Sequence, residues 1–315
     1  MLLELLRRLD EQDAGPDTFE IVVVDAGSTD GTPSALSSWP SRRPFRSVAI
    51  GPAAAARARN AGAAAAVGQT LIFLDDDMLP DPGFISAHLE AAGQFPGAVV
   101  VGACPVVGAR RPFSRMIARW YAGQFDAMSA AATTGLPLTA FQVFTGNLMV
   151  PRAVFEGIGG FDERFEVYGG EDTDFGVRLV VAGIPLRYAP SAVAEHRFGA
   201  SWPVWIKRVR ALASSTILLA EKHPQWAREF PAGQTEPSSV LRRHGAWLAW
   251  KAPWLGRLVM PPLLALGVLL DAANLDRPWQ RVNRVVYDFQ YWSGVRDRVG
   301  DEAGWQRARA LAQVP

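Results

Sequence analysis

The chain has 315 residues, 49% hydrophobic and 20% charged, with a formal net charge of +1. Its length supports one large or two modest domains with a full core, and its composition is globular rather than disordered. So small a net charge supplies no global field for nucleic acid, and the single cysteine, Cys104, excludes an internal disulfide framework and a cysteine-based zinc site, which fits a reducing compartment.

From the start, "MLLELLRRLDEQ" spaces acids and arginines among its leucines and predicts an amphipathic helix, without the continuous apolar core of a signal peptide. "FEIVVVD" is a short β-branched run and predicts a strand ending at Asp25, followed by the turn "AGSTDGT" and a short helix. "FRSVAI" predicts a second strand. The Ala-rich "PAAAARARNAGAAAAV" predicts a helix beginning at Pro52 and carrying Arg57 and Arg59. "TLIFLD" predicts a third strand ending at Asp75, "PGFISAHLEAAGQF" a helix, and "GAVVVGAC" a fourth strand. In that last run Cys104 reads as a buried small hydrophobe. Alternation of this kind predicts an α/β fold, a mostly parallel sheet flanked by helices. Ligands of such sheets bind beyond the carboxyl ends of the strands, the edge where Asp25 and Asp75 fall.

Residues 104 to 140 are expected to be less regular, an excursion over the site. Further on, "EDTDFGVRLVVAG" predicts a helix that opens with acids, as its dipole favours. "PLRYAP" and "AVAEH" predict two short strands, the second ending at His196. Beyond residue 200 the character changes to a helical region holding nine of the eleven tryptophans. From residue 242 onward arginine and lysine exceed aspartate and glutamate by five. The apolar run "LVMPPLLALGVLL", residues 258 to 270, falls short of the ~20 residues of a spanning helix and contains Pro261 and Pro262, so it is not expected to cross a membrane. The expected domains are therefore 1–200, catalytic, and 201–315, helical and rich in Trp and Arg.

Four local patterns can carry chemistry. "LDDDMLPD" puts Asp75, Asp76 and Asp77 at a strand end, which is either a solvated acidic turn or an oxygen-rich seat for Mg²⁺ or Mn²⁺ with a diphosphate completing the shell. In "YGGEDTD", two glycines let the backbone approach a ligand ahead of Glu171 and Asp172, where a carboxylate can accept a proton from an attacking hydroxyl; the alternative is a plain helix cap. His196 is either structural or a partner of carboxylates on a metal. Asp25 and Asp30 of "VVVDAGSTDGT" are turn residues or contacts to a sugar nucleotide.

Taken together and in this order, these segments resemble the GT-A glycosyltransferases of the family 2 type. The resemblance is carried by "VVVDAGSTDGT", "RARNAG", "LDDDMLPD", "FTGNLMVPRAVFEGIGGFDERF", "GGEDTDFGVRL" and His196, over roughly residues 1 to 200. It implies metal-dependent transfer of a hexose from a nucleotide-diphosphate sugar, with Mn²⁺ or Mg²⁺ as cofactor and inversion at the sugar. By it, Asp25, Arg59, Asp75 and Asn147 would bind the donor. Asp77, Asp75 and His196 would hold the metal. Asp172 would be the catalytic base, and Glu171, Tyr168 and Gly170 would meet the acceptor, because "GGED" is similar to the segment of β-1,4-galactosyltransferases and chondroitin-type polymerases. A bacterial cell-surface polysaccharide, built at the cytoplasmic face from a glycan or lipid-linked acceptor, is the implied setting. The Trp- and Arg-rich tail is expected either to touch the membrane peripherally or to pack as a helical cap.

Two features depart from the family pattern. Asp25 is followed by Ala26 where the family commonly has a second aspartate. The chain also opens inside what resembles the family's first helix, so the native protein is expected to carry roughly 15 to 25 further residues, enough for one strand and a turn. Two rival functions remain: an inactive binding subunit of the same fold, and a nucleotidyltransferase, which would be expected to show a Gly-rich phosphate loop.

Overall fold

The computed structural model describes residues 1–15, 18–226, 248–301 and 303–304. Two compact units are formed. The first comprises 1–109, 117–166 and 171–199; the second comprises 110–116, 167–170 and 200–315.

In the first unit, α1 (Leu2–Asp10) buries Leu5 and Leu6 and leaves its charged face outward. β1 (Ile21–Asp25) pairs in parallel with β2 (Phe45–Ala49), with α2 (Thr32–Ser37) between them in sequence. α3 (Ala55–Ala65) packs on β1, and Gly62 comes close to the side chain of Val24. β3 (Thr70–Leu74), β4 (Met78–Pro80), β5 (Val99–Ala103), β6 (Asn147–Pro151) and β7 (Leu186–His196) form a second sheet in the order β3-β6-β5-β7-β4. α4 (Phe84–Gln94) packs against β7 and β5, and α6 (Arg152–Ile158) follows β6. α7 (Glu171–Val181) brings Phe175, Val177 and Leu179 into the core.

The α/β layering with flanking helices is as the alternation predicts, but the strand pairing is mixed. β5–β7 is parallel, whereas β6 runs antiparallel to both of its neighbours, β3 and β5, and β4 runs antiparallel to β7. The connection from β5 to β6 is long, so β6 is free to return antiparallel to β5 as its neighbour in the sheet.

Three local expectations need correction. Residues 104 to 140 are not irregular: α5 (Pro112–Thr134) is a 23-residue helix. Its apolar side chains at Phe113, Ile117, Tyr121, Phe125 and Met128 recur every three or four positions, which is the helical period. "PLRYAP" and "AVAEH" are one strand, β7, whose register with β5 shifts at Gly102/Ala103 and leaves the stretch around Pro190 bulged out. Proline cannot donate to the ladder, which is why the break falls there.

The apolar run at 258–270 lies inside a longer helix of the second unit, α9 (Pro253–Ala272), which continues through both Pro261 and Pro262. Its 20 residues are long and apolar enough to cross a membrane by length and composition. α8 (Trp202–Lys222) and α10 (Asp276–Val299) are its companions. Trp202, Trp279 and Phe289 fill the space among them, and the Trp202 indole N–H donates to the side-chain oxygen of Asn283 at 2.6 Å.

Candidate active site

An aromatic cluster sets the site's framework. Phe73, two residues before Asp75 on β3, meets Phe155 of α6 and Phe161 at centroid distances of 5.4 and 5.2 Å. Phe161 in turn lies 4.7 Å from Phe175, one turn beyond Glu171 on α7. Apolar packing therefore fixes the end of β3 relative to the start of α7. Asn60 adds a second clamp: its amide donates to the Phe161 carbonyl and accepts from the Phe161 N–H, both at 2.9 Å. Gly160 beside it has φ +67°, and a Cβ there would stand 2.8 Å from the Asn60 side-chain oxygen. Arg152 closes the other end of α3 by donating to the carbonyls of Ala63, Ala66 and Gly68, where a cation suits the helix dipole.

With α3 held in this way, Arg59 reaches both acidic segments. Its guanidinium donates to Glu171 Oε1 and to Asp75 Oδ1, each at 2.8 Å. Burial opposes its charge, and the Asp75 and Glu171 carboxylates outweigh burial, so its pKa is raised. Part of the acidic cluster, Asp75, is thus neutralised by a residue of the protein itself. Asp76, on the exposed side of the turn, has its carboxyl held above the ordinary range by partial desolvation and by the charges of Asp77 and Asp75.

Glu171 opens α7 and is only 8% exposed. Asp172, next to it, accepts the Thr173 N–H at 2.7 Å. Its carboxyl is pushed up to about 7 by burial and then by the neighbouring Glu171 charge, against the lowering effects of Thr173 and Arg59. Two consecutive glycines precede them, Gly169 at φ +84° and Gly170 at φ +95°, a left-handed pair that side-chain-bearing residues rarely adopt. Tyr168 belongs to the second unit, where its ring meets Trp205 edge-on and lies 5.0 Å under the Arg208 guanidinium.

Asp77 and His196 come together separately. His196 pairs with Met78 in the β4–β7 ladder, and its Nε2 lies 3.3 Å from Asp77 Oδ2. Tyr121 and Phe198 contact the imidazole edge-to-face at 5.1 and 5.3 Å. Its Nδ1 is buried and has no hydrogen-bond partner among the described residues. The Nε2 nitrogen and the Asp77 carboxylate are thus neighbours at the end of β4 and β7. One oxygen and one imidazole nitrogen suit Mn²⁺ or Mg²⁺ as far as they go. Among the described residues no group of three or more His, Cys, Asp or Glu could hold a metal. Asp75, expected as a third ligand, does not complete such a set, and Arg59 engages its Oδ1. The two protein donors would leave the remaining positions to a diphosphate.

Two further expectations fare differently. Asn147 does not line a pocket: it is 0% exposed. Its amide donates to the carbonyls of Ala103 and Ala192, and its oxygen lies 2.7 Å from His88 Nε2. Every polar atom of that side chain is committed to joining β6 to β5, β7 and α4. Asp25 and Asp30 accept the N–H groups of Ser28 and Thr32 and so close their own turns. These hydrogen bonds hold both carboxyls below the ordinary range. The carboxylate of Asp25 is not drawn into the Arg59 bridge. Asn60 and the Phe73–Phe161–Phe175 cluster escaped the sequence reading, although "RARNAG" and "GGFDERF" were both singled out in it.

The chain matches the family described as Glycosyl transferase family 2 over residues 1–154, and the N-terminal domain of galactosyltransferase over residues 126–198. An N-acetylglucosaminyl-diphospho-decaprenol L-rhamnosyltransferase of Mycobacterium tuberculosis is 30% identical over 254 residues, which cover 71% of this chain and 82% of that protein. A validoxylamine A glucosyltransferase of Streptomyces hygroscopicus subsp. limoneus is 33% identical over 212 residues, or 59% of this chain and 46% of that protein. The chain therefore spans about half the length of the validoxylamine relatives. In fold it is similar to a mannosyltransferase from Pyrobaculum calidifontis in complex with GDP-Man and Mn²⁺, with TM-score 0.57 and 21% identity, covering 92% of this chain and 81% of that one.

Proposed function

Because the chain belongs to glycosyl transferase family 2 and has the GT-A fold, we propose that it transfers a hexose from a nucleotide-diphosphate sugar to an acceptor hydroxyl, with inversion and with Mn²⁺ or Mg²⁺ as cofactor. The observation that carries the proposal is the convergence of Arg59, Asp75 and Glu171 beside Asp172, a carboxyl raised to about 7. A base with a pKa near the working pH combines a useful ionised fraction with real proton affinity.

In the proposed reaction Asp172 takes the proton of the acceptor hydroxyl as its oxygen attacks the anomeric carbon. The bond from that carbon to the diphosphate breaks on the opposite face, and the diphosphate leaves with the electron pair. Glu171, held by Arg59, accepts hydrogen bonds from the acceptor's other hydroxyls, and the left-handed Gly169–Gly170 pair keeps the backbone free of side-chain bulk ahead of it. Asp77 and His196 would hold the metal, which when bound neutralises charge on the leaving diphosphate. Asp75 faces the donor while remaining paired to Arg59.

The names of relatives support the substrate class. One acts on a decaprenol-linked sugar and another is a glucosyltransferase, which supports a hexosyl donor and a glycan or lipid-linked acceptor. On that basis the setting is bacterial cell-surface polysaccharide synthesis, with the enzyme cytoplasmic and peripheral on the inner face of the plasma membrane. The test is metal-dependent turnover of a panel of UDP-, GDP- and dTDP-sugars with prenyl-diphosphate and free-sugar acceptors, comparing the native chain with Asp77→Ala and Asp172→Asn. Turnover of one donor with Mn²⁺, lost in both variants, and an inverted anomeric proton in the product's NMR spectrum are expected. Turnover that survives Asp172→Asn would overturn the assignment of the base.

A further inference from the structure

α9 is packed on one side and bare on the other. Gly256 and Gly267 form its inner contacts: a Cβ at Gly256 would fall 2.1 Å from the Phe289 ring, and one at Gly267 would meet the Trp202 ring still more closely. Met260 is buried between them. These contacts stand eleven residues apart, about 16 Å along the helix, so α9 lies lengthwise along α8 and α10. Its opposite face carries Trp254, Leu258, Pro261, Pro262, Leu266 and Leu269, all exposed; Trp254, Leu258 and Leu269 are 69%, 68% and 66% exposed. No acidic residue interrupts the helix before Asp271, and its one basic residue is Arg257.

An apolar face running about 27 Å from Trp254 to Ala272 is the kind of exposed patch that marks an interaction surface. The charges around it select its occupant. Arg257 lies on α9 itself. Arg277, Arg281 and Arg284 are exposed on α10, one above another at helical spacing. An apolar face that carries a tryptophan near one end, with exposed arginines on its own helix and on the helix packed beside it, is complementary to an anionic lipid surface.

We propose that α9 beds into the interface of an anionic bilayer, lying in its plane, with its Gly256–Met260–Gly267 side kept on α8 and α10 and its leucine side among the acyl chains. A spanning orientation would require the two glycine contacts to be given up. This deepens the peripheral membrane contact proposed above, naming its element and its lipid chemistry, and it does not depend on the transfer chemistry.

The test uses the full chain with phosphatidylcholine vesicles, with and without about 30% phosphatidylglycerol. Cosedimentation with the anionic vesicles is expected, reduced at least ~10-fold by the Leu258→Asp/Leu269→Asp pair, and weakened by 0.5 M salt because the arginines are screened. Metal-dependent donor hydrolysis, measured in parallel, should be unchanged in that pair and reports that it is folded. Depth is then read by quenching of a fluorophore on Leu258→Cys and, separately, on Leu269→Cys, under native conditions in which Cys104 stays buried. Equal, shallow depths support the in-plane seat. Depths differing by about 16 Å would overturn it in favour of a spanning helix. Failure to bind vesicles, with a dimer in solution that the Asp pair dissociates, would overturn it in favour of a second copy of the chain.

Discussion

Replacing Asp172 with asparagine should abolish transfer and at the same time stabilise the protein, by an amount that depends on pH. The carboxyl rises from 3.8 to about 7 in the folded chain, chiefly through burial. Between these values the folded state holds a proton that the unfolded chain releases, so stability falls as pH rises through that window and levels off above about 7. Integrated across the window the cost is about 4 kcal/mol. Solvent reaches part of Asp172 and screens it, which leaves about 2 kcal/mol. Asparagine keeps an acceptor for the Thr173 N–H and carries no charge, so the variant should gain about 2 kcal/mol at pH 8, or roughly 4–8 °C in Tm for a unit of this size. The gain should shrink steadily below pH 7 and vanish near pH 3. Calorimetry of both proteins from pH 3 to 8 at fixed ionic strength, with initial transfer rates, makes the measurement. A rate loss of at least ~100-fold is expected for removal of a general base. A Tm difference that stays constant with pH would refute the raised carboxyl, and a variant retaining its rate would refute the role as base.

Glu171→Gln removes the charge that raises Asp172 next after burial, so the acid limb of the pH–rate profile should move to lower pH; an unmoved limb would separate the two carboxyls. Asp77→Asn and His196→Ala should each cost at least ~10-fold in apparent Mn²⁺ affinity, measured by metal titration of donor hydrolysis; saturation at native metal concentrations would remove the pair from the metal site. Gly176→Ala would place a Cβ 2.3 Å from the Ala140 carbonyl oxygen, a backbone group with no rotamer to turn away. It should cost about 1–3 kcal/mol in urea unfolding, and an unchanged midpoint would show that the contact can relax.

The sequence was informative wherever a residue's role follows from its own neighbours along the chain. The β-branched runs ending at Asp25 and near Asp75, the acid-opened helix at Glu171 and the strand ending at His196 are all local patterns, and each lies where the pattern puts it. α5 was legible in principle, because its apolar residues recur at helical spacing. The apolar run at 258–270 is bounded by the charges Arg257 and Asp271, but α9 runs past both, and Pro261 and Pro262 sit on its exposed side without ending it.

What no local pattern contains is partnership across the fold. Arg59 and Glu171 stand 112 residues apart and meet only because Phe73, Phe161 and Phe175 pack together and Asn60 clamps the loop between them. Asn147, expected by resemblance to meet the donor, spends its amide on His88, Ala103 and Ala192, since the entry of β6 between β3 and β5 buries it. The sequence by itself determined which residues stand at strand ends and helix starts, because backbone propensity and side-chain period act within a few residues. Only the tertiary structure decided which of those carboxylates share an arginine and which is raised toward neutrality, because Coulomb interactions and burial depend on distances that are set when the layers pack.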